Sequence, residues 1–111
     1  MQTSFHTLQQ FDHVADAVSY LNQLKNTQAV KLAAQLDSAA LIDLLENPDL
    51  RCDSDLAAYL AAAGRAEVLD QLAEDRMADL ISGFEPPIRQ QALNLLSPTT
   101  RASVLRLMSY P

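Results

Sequence analysis

Fourteen carboxylates, two histidines and a single cysteine are the residues of this 111-residue chain with chemistry to offer. Among the acids, Glu67, Asp70 and Glu74 follow a three-and-four spacing that puts them on one helix face, and Asp75 and Asp79 share another at i, i+4. Two carboxylates one helical turn apart repel each other by a few tenths of a kcal/mol in an isolated helix, and a divalent cation relieves that repulsion. Hard cations such as Mg2+ take oxygen ligands and keep most of their waters, so a pair like Asp75 and Asp79 suffices for weak binding. On spacing alone the plainer reading, that such acids are helix caps and solvated faces, stands ahead.

The other candidates carry less. His6 and His13 fall two turns apart on the same face of the first expected helix, about 10 Å from each other, too far to share one metal without a third element between them. Cys52 has no base suggested beside it and reads as a loop or core residue; one cysteine also excludes an internal disulfide and a multi-cysteine zinc site. The aspartates of residues 47–55 lack the Asp-x-Asp-x-Asp-Gly run and closing Glu of a calcium loop, so turn and cap duty is the better reading. With no Ser/His/Asp motif and no glycine-rich phosphate loop, the residues give no support for an enzyme.

These side chains must be positioned by helices. Glycine is scarce, aromatics make up 5% and Ala and Leu dominate, a composition that favours helix because small and straight-chain side chains lose little rotamer freedom there. The stretch from Gly64 to Pro111 repeats itself, with an Arg (65, 76, 89, 101) recurring about every twelve residues, each four residues before a Leu (69, 80, 93, 105). Helices this short are marginal alone and must stack on one another. The expected fold is all-α, a right-handed superhelix or solenoid of short helices. A longer helix over residues 1–25, near twenty residues from Phe5 to Leu24, should close one end; residues 27–63 hold the first helices, and 64–111 the four repeated ones, all within one domain. Asn26-Thr27, Asp37-Ser38, Asp53 or Ser54, and Asp75 are the expected N-caps, with Pro86-Pro87 and Pro98-Thr99 opening the last two helices. Gly64 should end its helix in the left-handed conformation, and Gly83-Phe84 should form a glycine exit with an aromatic plug. The repeat arginines read better as stems packed along neighbouring helices than as a ladder for an acidic partner.

Charge narrows the partners. The net charge of −6 is uneven: all 14 acids fall in residues 1–85, which balance at −9, whereas residues 86–111 balance at +3. An acidic chain without a Lys/Arg cluster is repelled by nucleic acid and anionic lipid. No apolar run approaches the roughly 20 residues a bilayer requires, so direct membrane insertion of this chain is not expected.

The runs Arg65-Ala66-Glu67-Val68-Leu69-Asp70-Gln71-Leu72, Ala73-Glu74-Asp75-Arg76-Met77-Ala78-Asp79-Leu80-Ile81 and Leu95-Leu96-Ser97-Pro98-Thr99-Thr100-Arg101-Ala102 through Ser109-Tyr110-Pro111 resemble the N-terminal cytosolic domain of MgtE-type magnesium transporters. The likeness is best over residues 64–111. It implies CBS modules and a transmembrane part of the same polypeptide beyond residue 111, a full-length homodimer, and a place on the cytoplasmic side of the membrane. It further implies a regulatory role, in which weakly held Mg2+, shared with the CBS modules, bridges facing acids and favours the closed state. Asp79 matches the aspartate of the family's Ala-Asp segment and Asp75 the acid that opens the same helix. The rival expectation is a helical-repeat interaction scaffold resembling the flagellar motor switch protein FliG, without ion binding.

Overall fold

The computed structural model describes residues 11–109, and all regular structure among them is helical. The helices are α1 (Val14–Asn22), α2 (Asn26–Ala33), α3 (Ser38–Leu45), α4 (Asp53–Ala62), α5 (Ala66–Leu69), α6 (Glu74–Ser82), α7 (Pro86–Leu95) and α8 (Pro98–Met108). Alternate helices pack together: α1 on α3 and α3 on α5 form one row, and α2 on α4, α4 on α6 and α6 on α8 form a second. Helix α7 packs on α4 and α6. The all-α expectation holds, with a spatial layer two helices deep although the sequence rhythm is one helix per repeat. The stack measures 44 × 24 × 23 Å.

A single leucine-rich core runs through it. Leu21, Leu41, Leu45, Leu56, Leu60, Leu69, Met77 and Ile81 are almost wholly out of water, and no polar or charged residue among those described is fully buried. Helix α4 is the hub, in contact with α2, α3, α5, α6 and α7. Its residues Leu56, Ala57, Leu60 and Ala61 are all buried. The two alanines in that set let neighbouring helices come close, since a small side chain sets a short interaxial distance.

The ends of the helices are where expectation and structure part. In the described residues the first helix is nine residues long, because His13 is extended (φ −113°, ψ 135°) and serves as its N-cap; the expected long helix therefore does not extend through Phe11–His13, and residues 1–10 lie outside those described. Asp37 caps α3 by accepting from the Ala40 N–H at 2.9 Å. Asn26 does not cap α2: it stands inside the first turn and donates instead to Asp55 Oδ2 at 3.0 Å. Asp53, Ser54 and Asp75 likewise fall within their helices, which begin one or two residues earlier than expected. The N–H of Ala73 at the start of α6 is satisfied from another helix end, donating to Glu46 Oε2 at 2.8 Å. Ser97 caps α8 through Thr100, and prolines occupy the first turns of α7 and α8, where a missing N–H costs nothing.

Gly64 has φ +78°, and the N–H of Arg65 donates to the Leu60 carbonyl at 2.8 Å while that of Gly64 donates to Ala61 at 3.1 Å. These are the two bonds of a Schellman ending, which requires the left-handed conformation that glycine adopts without cost. Gly83 is different. Its φ is −83°, and the reason for glycine there is space, since a Cβ would come within 3.1 Å of Ser54 Oγ. Phe84 beside it is buried, as an aromatic plug should be.

Candidate functional site

Asp75 and Asp79 lie one turn apart on α6, both exposed. The inner face of the same helix, Met77, Ala78, Leu80 and Ile81, is buried, so the core fixes the helix's rotation and thereby turns the two carboxylates to water. One oxygen of Asp75, Oδ1, accepts from the Arg76 N–H at 2.9 Å. Oxygen donors in an exposed pair suit a hard cation that keeps most of its waters. They do not make a full shell, and no group of three or more His, Cys, Asp or Glu among the described residues is placed to hold a metal.

The other acids disperse. Glu67 lies in α5, Asp70 in the turn after it and Glu74 at the start of α6, so these three do not share a helix face as their spacing predicts. The spacing predicts one continuous helix, but α5 stops at Leu69 and the chain turns through bonds from Gln71 to Val68 and from Leu72 to Leu69. His13 precedes α1 as its N-cap and is exposed, so it does not stand on the first helix as its spacing predicts; His6 lies outside the described residues.

Arg76 anchors the candidate site. Its Nε donates to the Leu45 carbonyl at 2.7 Å, and its Nη2 donates to Asn47 O at 3.3 Å and to Asp53 Oδ2 at 2.7 Å. One guanidinium thus ties the exposed end of α3, the start of α4 and the first turn of α6, with side chains only 15% and 21% exposed in the ion pair. Arg65 repeats the device one helix earlier, reaching Ala34 O at the end of α2 and Ser38 Oγ. Both arginines reach back 31 residues to the carbonyl that ends a helix. Arg89 and Arg101 do the same locally, each bonding a carbonyl five residues before it. These bonds tie the repeat arginines to the ends of neighbouring helices, the packing role expected of them, and cations at helix C-termini are favoured by the helix dipole as well. The spacing of the arginines gives no sign of the Asp53–Arg76 pair; the constant 11-residue step between Ala34 and Leu45 and between Arg65 and Arg76 matches only the bonds to the helix-ending carbonyls.

Cys52 is buried at the head of α4. Burial, with the neighbouring charges of Asp53 and Asp55 adding to it, pushes its thiol from the ordinary 9.0 up to about 11. A raised folded-state value means that the unfolded chain loses its proton first, so stability held below pH 9 is lost as the pH climbs toward 11. Chemical denaturation across that window should show a decline that Cys52→Ala reduces. An undiminished decline in the variant would place its origin elsewhere.

A row-by-row stack of short helices with a water-facing acidic helix is an α-helical repeat domain, and no helix among the described residues is long and apolar enough to cross a membrane. The family model described as the MgtE intracellular N domain matches residues 12–111, and the chain belongs to that family. The family marks the cytosolic domain of magnesium transporters and is not an enzyme class. No match to the chain was found among curated proteins or solved structures.

Proposed function

We propose that the chain is the Mg2+-sensing regulatory domain of a magnesium transporter, in which Asp75 and Asp79 supply part of a Mg2+ site completed by acids of neighbouring CBS modules in the same polypeptide. The observation that carries this reading is the presence of both acids, exposed and one turn apart, on a helix of an MgtE intracellular N domain. Facing carboxylates on two bodies repel each other until a cation neutralises them, so ion occupancy biases the pair between a compact and a separated arrangement. The resident pair offers few ligands, which makes the binding weak without the second body.

The experiment uses a polypeptide containing this domain and the CBS modules that follow it. Mg2+ should protect this polypeptide from limited proteolysis, and Asp79→Ala should move the protection midpoint to Mg2+ concentrations higher by about tenfold, the equivalent of ~1.4 kcal/mol. Asp75→Ala should act in the same direction. A midpoint unmoved by both substitutions removes the two aspartates from the site, and no Mg2+-dependent protection at all removes the sensing function, leaving an interaction scaffold.

A further inference from the structure

The first turn of α6, which carries Asp75, has little of its own to hold it. Its N-cap is Ala73, whose side chain has no acceptor to offer. What holds the turn comes from the connection between α3 and α4, residues 46–52. Glu46 Oε2 accepts from the Ala73 N–H at 2.8 Å, the bond that a capping-box glutamate makes within its own helix. The Asn47 carbonyl accepts from Arg76 Nη2 at 3.3 Å, and Leu45 and Asp53, which flank the connection, take the rest of that guanidinium.

The other side of the same connection is held by α1. Asn22, the last residue of that helix, donates from Nδ2 to the Asp49 carbonyl at 2.9 Å and accepts at Oδ1 from the Arg51 N–H at 2.9 Å. Both polar groups of one side-chain amide are thus spent on the backbone of the connection. Asn47 Oδ1 accepts in turn from the Asp49 N–H at 2.9 Å, so the residues that Asn22 grips are bonded to those that grip α6. A line of hydrogen bonds runs from the end of α1 to the start of α6, although the packing partners of α1 are α2 and α3.

We propose that Asn22 is a positioning residue for the Asp75 and Asp79 pair, acting through the α3–α4 connection; this rests on the Mg2+ reading above. By fixing Asp49 and Arg51, Asn22 keeps Glu46 and Asn47 where the start of α6 meets them. A cation held through two carboxylates one turn apart loses affinity when the turn carrying one of them frays. The competing hold on the connection is burial of Leu50 and Cys52, which are 1% and 2% exposed. If that burial alone fixes the connection, loss of the Asn22 amide stays local and α6 does not respond.

Amide hydrogen exchange of the 111-residue chain without Mg2+ reads the hold directly. In Asn22→Ala the Met77 amide, whose bond to the Ala73 carbonyl closes the first turn of α6, should exchange about tenfold faster relative to the Leu60 amide of α4. Val30→Ala removes buried surface from α2 and no bond of the connection, and should not raise that ratio. In a polypeptide that contains the CBS modules, Asn22→Ala should raise the Mg2+ concentration at the protection midpoint about threefold. Val30→Ala should not, which separates positioning from plain loss of stability. Asn22→Asp keeps an acceptor for the Arg51 N–H and loses the donor to Asp49; it repeats both measurements, with smaller changes in the same direction, if Asn22→Ala loses its helical circular dichroism. An unchanged Met77 ratio overturns the proposal. So does a midpoint that Asp79→Ala moves and Asn22→Ala does not. A raised ratio beside a midpoint that neither aspartate variant moves overturns the Mg2+ reading, and with it the role of Asn22 toward the pair, while its hold on α6 stands.

Discussion

Replacing Arg76 with methionine should lower the stability of the fold by about 2–3 kcal/mol. Methionine keeps the aliphatic stem that packs beneath the guanidinium and deletes only the head, so the loss isolates the polar contacts. Three acceptors then lose their donor: the Leu45 and Asn47 carbonyls and the Asp53 carboxylate. With the paired side chains 15% and 21% exposed, water replaces the lost bonds incompletely, and the carboxylate is left without its cation. Arg65→Met is the internal control. Its bonds to Ala34 and Ser38 are longer, at 3.3 and 3.2 Å, and its 3.9 Å contact with Glu67 is between side chains 32% and 55% exposed, so a cost of about 1 kcal/mol is expected. Urea midpoints of the two variants measure the difference. Equal shifts would mean that the more buried Arg76 contacts hold the fold no better than the more exposed ones of Arg65.

The same pair of arginines shows what the sequence makes legible. Their recurrence, the leucines that follow them and the prolines that open the last two helices are local patterns, and the helices they announce are present. What local pattern does not carry is a bond across 31 residues to Leu45 or 23 to Asp53, because nothing near Arg76 in the chain names either as its partner. Asp53 therefore looks like a cap from sequence, while the fold uses it as a counter-ion. Helix limits failed for a related reason. The run Glu67 to Glu74 has helical spacing, yet packing stops α5 after Leu69 so that Leu72 can turn inward and be buried, and the shared acidic face disappears with the helix. Asp75 and Asp79 keep their one-turn spacing on an exposed face because they sit inside one helix whose buried residues fix its rotation.

Arg76 also bears on the acids beside it. It holds the first turn of α6 to the ends of α3 and α4, and Asp75 and Asp79 ride on that turn and the next. The staple and the candidate ligands are therefore mechanically joined, with the difference that Arg76 faces the stack and the aspartates face water. A loss of Mg2+ response in an Arg76 variant would report on helix placement, which is why the aspartate substitutions, at exposed positions, are the cleaner probe of binding.

Leu60→Ala should cost more than any surface change, about 3–4 kcal/mol, because Leu60 is wholly buried in the one helix that touches five others and its removal leaves a cavity that neighbours held on several sides cannot close. Against the 5–15 kcal/mol that holds a typical domain together, this approaches the margin for folding. Val104→Ala, at the terminal helix, should cost about 2 kcal/mol by lost burial and a smaller cavity. The distribution of the damage should differ as well as its size. A stack joined chiefly by neighbour contacts opens from its ends, so the Val104 variant should speed amide hydrogen exchange in α8 and leave α3 and α4 protected. The Leu60 variant should speed exchange in every helix that shares the hub, from α2 to α7. Exchange confined to α4 in that variant would show that α4 does not couple the two rows, and that the stack is a looser array than its packing implies.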